Sequence, residues 1–85
     1  MNFLHYQLNL SPNDVVEVTL DSQANIRLFD DINFHRFQRG ATASYSGGLV
    51  ERSPVRFKAP HTGHWNLVID RGGYPGTVRA SVRVI

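Results

Sequence analysis

Residues 53–70 read SPVRFKAPHTGHWNLVID. Val55, Phe57 and Ala59 alternate with Arg56 and Lys58. After a Pro-His-Thr-Gly break, Trp65, Leu67 and Ile69 alternate with Asn66 and Asp70, and Val68 is the exception on the polar side. Apolar residues at every second position mark a strand with one face toward a core and the other toward water. The stretch therefore reads as two half-buried strands joined by a short bend.

The same period runs outward in both directions. Leu4, Tyr6, Leu8 and Leu10 alternate at the N-terminal end, followed by Val16, Val18 and Leu20 opposite Glu17 and Thr19, and by Ile26 and Leu28 opposite Asn25 and Arg27. Near the C-terminus Val78, Ala80, Val82 and Val84 share one face, and Thr77, Arg79, Ser81 and Arg83 the other. A one-residue slip there would bury arginines, so the register is firmly specified. Turn residues punctuate the strands: Ser11 to Asp14, Ser22-Gln23 (read as a hairpin), Gly47-Gly48, Ser53-Pro54, Pro60 to Gly63, and Gly72 to Gly76. Short strands at such intervals predict an all-β chain, a small antiparallel β-sandwich or flattened barrel of about seven or eight strands. At 85 residues, all of it (1–85) forms a single domain.

One segment departs from the pattern. DDINFHRFQRG, residues 30–40, offers Asp30 or Asp31 as N-cap, Phe34 and Phe37 three apart, Arg39 in the last turn and Gly40 as a stop. These predict one short helical turn over residues 31–39, its phenylalanines pinning it across an open end of the sandwich. The connection from residue 30 to Gly48 is long for so small a domain, so it is expected to carry structure of its own.

Composition narrows function by exclusion. A hydrophobic share of 41% with 19% charged residues belongs to a globular chain and not a disordered one. No apolar run is long enough to cross a bilayer, and the first residues lack the basic and apolar regions of a secretory signal. With Met1 in place, the chain reads as complete and cytoplasmic, without a membrane partner. There is no cysteine, which excludes disulfides, thiol catalysis and thiolate metal sites. Eight of the nine basic residues are Arg, whose planar fork suits carboxylate or phosphate, although a GC-rich coding sequence produces the same bias. The net charge of +2 is too small for the footprint of a nucleic-acid binder, so nucleic acid is not an expected partner.

Three clusters are candidates for chemistry. His61-Thr62-Gly63-His64 reads as a turn with the histidines at its corners and Gly63 supplying the positive φ of a type II turn. Two imidazoles that close could share a metal ion, but the third and fourth ligands that such a site needs are not placed by spacing. No metal or other cofactor is therefore expected, and His61 and His64 stand as weak candidates for metal-assisted hydrolysis. Gly72-Gly73 with Pro75-Gly76 lies between strands and lacks the helix N-terminus of a phosphate cradle. It reads as a hairpin connection with Tyr74 packed back at its tip. In FHRFQRGATASY, residues 34–45, aromatic and basic residues interleave. With Phe34 and Phe37 buried, His35, Arg36 and Arg39 would face outward and, with Tyr45, could receive an anionic ligand. Arg27, Arg79 and Arg83 are expected to be solvated and paired with Glu17 or other carboxylates. No Gly-x-Ser-x-Gly, His-Glu-x-x-His or phosphate-loop pattern is present.

Taken together, DVVEVTLDSQANIRLFD, NFHRFQRG, SPVRFKAPHTGHWNLVID and GGYPGTVRASVRV resemble the bacterial domain of unknown function family 1883 in order and spacing, over nearly the whole chain. The resemblance implies a small all-β bacterial domain, found alone or beside Toll/interleukin-1-receptor-like domains. That pairing implies a recognition or sensor module attached to an effector, and the family carries no established catalytic or binding residues. The expected function is a non-enzymatic binding or sensor module for an anionic ligand or protein partner. The alternatives are a homo-oligomeric structural domain and the His61/His64 hydrolase.

Overall fold

The computed structural model describes residues 3–85, and among these there are seven strands and one helix. In chain order they are β1 (Leu4–Leu10), β2 (Val15–Leu20), β3 (Ala24–Asp30), α1 (Asp31–Gln38), β4 (Ser46–Val50), β5 (Val55–Lys58), β6 (Gly63–Asp70) and β7 (Ala80–Val84). They form a four-stranded sheet, β1-β6-β3-β4, and a three-stranded sheet, β5-β2-β7, every pair antiparallel. The predicted sandwich is the observed architecture. No helix among the described residues is long and apolar enough to cross a membrane.

The core lies between the sheets. Val16 and Val18 from β2 meet Ile26 and Leu28 from β3 and Trp65, Leu67 and Ile69 from β6, all buried. Val55, Phe57, Ala80 and Val82 close it from the smaller sheet. These are the residues that the two-residue period assigns to the inside. Val84 is the outlier: at the end of β7, opposite Val16, it is 45% exposed.

Helix α1 lies over the outer face of the four-stranded sheet and not across an open end of the sandwich. Phe34 is buried against Phe29 of β3 and Val68 of β6, with Phe3 and Phe37 packed beside them. This second contact explains Val68, since the outward side of β6 is covered by a third layer. Both ends of the helix are closed. Asp30 is the N-cap, its side chain accepting from the Asn33 amide at 2.8 Å. At the other end Ala41 N donates to Arg36 O and Gly40 N to Phe37 O, the paired bonds of a Schellman motif, with Gly40 at φ 74°. Asn33 Oδ1 also accepts from the Ser44 amide, which ties the helix to the segment leading into β4.

Four connections differ from the sequence expectation. Ser22-Gln23 is a crossover, since β2 and β3 lie in different sheets. Gly47-Gly48 falls inside β4, where Gly47 faces Arg27 across the ladder. A Cβ on Gly47 would collide with the Ile26 carbonyl oxygen, and its φ is 118°, so glycine serves here for close approach and not for a turn. Gly63 opens β6 in register with Leu10 and so is not the third residue of a type II turn. The Gly72 to Gly76 run carries the chain from the larger sheet to the smaller one, so it is not a hairpin, and Tyr74 is not packed back but 70% exposed.

Candidate binding cleft

Strand β6 ends at Asp70, a buried carboxylate on the outer face of the larger sheet. Its neighbours in the register supply its partners. Asn25 sits opposite on β3 and donates from Nδ2 at 3.1 Å, and Arg27, two residues on, donates from Nη1. The Gly72 amide also donates to Asp70 at 2.7 Å, forming an Asx-turn that bends the chain off the sheet. Tyr74 N then donates to Arg71 O, and Gly72 and Gly73 between them hold φ values of 63° and 90°. A Cβ on Gly72 would stand 2.9 Å from Asn25 Nδ2, so both the dihedral and the packing require glycine.

The far end of the crossover is fixed by another aspartate. Asp21 Oδ1 accepts from the Arg79 amide at 2.8 Å, and the Asp21 amide donates to Arg79 O at 3.1 Å. Between these anchors the chain stands away from the sheets and walls a cleft of about 510 Å³. Its apolar lining comes from Phe3, Leu4, Ile69, Tyr74, Pro75 and Val78. Arg71 enters the wall with Nη1 donating to Ser22 Oγ at 2.8 Å, while its Nε is buried without a hydrogen-bond partner among the described residues. On the other side of Arg71 and Tyr74 lies a smaller hollow of about 220 Å³, bordered by Asn25 and Leu49.

A second polar group lies on the same sheet face, at the start of α1. His5 Nε2 donates to Asn66 Oδ1 at 2.9 Å, Asn66 Nδ2 donates to Asp31 Oδ1 at 2.8 Å, and His64 Nδ1 donates to the same oxygen at 2.7 Å. The hydrogen bond from His64, then that from Asn66, holds the Asp31 carboxyl below its ordinary 3.8. The chain of contacts joins β1, β6 and α1 and fastens the helix to the sheet.

The residues singled out by sequence are separated. His35, Arg36 and Arg39 are exposed along α1, as their spacing predicts. Tyr45 lies off the helix, its ring 5.6 Å from that of Phe29, with the Arg27 guanidinium 5.4 Å from its centroid. His61 and His64 diverge. The His61 ring packs 4.8 Å from Trp65, a residue of the inter-sheet core, whereas His64 reaches Asp31 on the outer face. Among the described residues no group of three or more His, Asp or Glu is placed to hold a metal ion. Arg27 and Arg83 are paired as expected, with Asp70 and Glu17, whereas Arg79 makes no ion pair among the described residues. Sequence reasoning missed Arg71 and the Asn66–Asp31 link. The visible signals were the Gly-Gly-Tyr-Pro-Gly run directly after Arg71, and Val68 on a nominally wet face.

The fold and its cleft define a class: a two-sheet antiparallel β-sandwich with a helix laid over one outer face. The family described as a domain of unknown function, DUF1883, matches residues 1–85. The chain belongs to that family. No curated protein matches this sequence. No solved structure matches it either.

Proposed function

We propose that this domain is a non-catalytic binding or sensor module that holds a small ligand in the cleft between β1 and the 71–79 crossover. The observation that carries the reading is the cleft itself. At about 510 Å³ it falls within the size range of small-molecule sites, with apolar walls and a single guanidinium among them. Its one carboxylate, Asp70, is already occupied by Arg27, Asn25 and the Gly72 amide, which leaves it poorly suited to proton transfer. The reading is tested by screening fragments against the 15N-labelled chain. Amide shifts confined to residues 71–78 and to Phe3 and Leu4 are expected. Shifts centred on His35, Arg36 and Arg39 would move the site to the helix, and a screen in which no fragment perturbs the cleft would end the proposal.

A homo-oligomeric role is the second reading. It draws on the edge strands β4 and β7, which carry Leu49 at 58% exposure and Val84 at 45%. Light scattering that finds only monomer at high concentration would dispose of it. A metal-assisted hydrolase at His61 and His64 is the third reading, and it is less favoured because the His61 ring lies against Trp65 while His64 bonds Asp31.

A further inference from the structure

Arg71 carries more information than the shape of the cleft. One edge of its guanidinium is spent on Ser22 Oγ, which fixes the plane of the group. Its Nε is out of reach of bulk solvent and has no acceptor. Buried donors are nearly always satisfied, so one that is not marks a place where a water or a ligand oxygen would be accommodated. Nor is Arg71 in an ion pair among the described residues, whose acidic partners serve Arg27, Arg56, Arg83 and His64. The nearest carboxylate in the wall, Asp70, is neutralised by Arg27. The cleft therefore has in its wall a guanidinium with no ion-pair partner among the described residues, held by Ser22 beside an apolar chamber.

We propose that the cleft takes a small organic monoanion, its carboxylate accepting from the Arg71 guanidinium and its apolar body lying among Leu4, Ile69, Tyr74 and Val78. The inference rests on the cleft being the binding site and adds the class of ligand. A carboxylate matches the guanidinium fork in shape and charge, and a charge-assisted bond away from water is the strong kind. The glycine-containing segment 72–76 forms the outer wall of the cleft, anchored at one end by the Gly72–Asp70 hydrogen bond and beyond its other end by the Asp21–Arg79 pair.

The test titrates the full chain with phenylacetate, its neutral isostere phenylacetamide, and acetate, followed by amide shifts. Phenylacetate is expected to perturb residues 71–78 and to bind about tenfold or more tightly than either of the others. In Arg71→Gln the preference for phenylacetate over phenylacetamide is expected to disappear. Phenylacetamide binding the wild-type cleft as tightly as phenylacetate would overturn the anion while leaving the cleft as a binding site. Phenylacetate shifts centred on Arg36 and Arg39 would also overturn it. If neither aromatic probe perturbs the cleft, both the inference and the reading beneath it fall. The wild-type comparison decides the matter even if the variant does not fold.

Discussion

Glu17 faces away from the core in the middle of the smaller sheet, yet it is only 7% exposed. The register explains this. Arg56 of β5 and Arg83 of β7 lie directly opposite it on either side, and each donates to one carboxylate oxygen, at 3.0 and 2.7 Å from Nε. The two long side chains fold over the acid while their own heads stay wet. The Arg83 hydrogen bond is the largest influence holding the Glu17 carboxyl below its ordinary 4.5, with Arg56 adding to it and burial opposing. Because the folded state binds this proton more weakly than the unfolded chain does, the stabilisation is fully present above 4.5 and is lost as pH falls through the lower folded value. Glu17→Gln should therefore lower stability at neutral pH, and the gap from wild type should close as the solution is acidified. Urea unfolding from pH 7 to pH 2 measures it, and a gap that stays constant with pH would refute this role for the ion pairs. The alternation made Glu17 legible as outward-facing; its burial was not legible, because it depends on which strands become neighbours.

Helix α1 shows what a local signal can and cannot say. Asp30, Gly40 and the Phe34–Phe37 spacing mark its ends and its apolar side, and each does what its chemistry predicts. Where the helix docks was not visible in residues 30–40. It follows from β6 and β3, whose outer face carries Val68 and Phe29 and so offers an apolar platform. The ring of Phe34 fits there, stacked at 4.3 Å on His5 and tilted at 6.3 Å from Phe29. Phe34→Ala should cost about 3–5 kcal/mol, the range for deleting a buried aromatic ring. Chemical denaturation gives the figure. A loss below about 1 kcal/mol would mean that the helix is a loosely held appendage and not a layer of the fold.

Across the molecule, stability should be uneven in a way that bears on function. The larger sheet is buried on both faces along β6, whereas residues 73–78 are tethered only near Asp70 and Asp21. Amides of this crossover should exchange with solvent far faster than those of Val18 and Leu67 in the core strands. Hydrogen exchange followed by NMR reports the difference directly. Equal protection in the two regions would show that the cleft wall is rigid and would remove the flexibility that ligand entry needs.

The alternation of apolar and polar side chains determined, without any structure, that this chain forms strands and which face of most strands is buried, and the capping residues placed a short helix within residues 30–40. Those properties depend on neighbours within a few residues, and a strand's two faces or a helix's caps are written at that range. Only the tertiary structure decided which strands share a sheet, and hence that Ser22-Gln23 and Gly72 to Gly76 cross between layers and are not hairpins. It also decided that Phe3, at the opposite end of the chain, lines one cleft with Arg71 and Val78. Sheet partners are chosen by contacts between distant segments competing for the same core, and the two-residue period is identical whichever pairing wins.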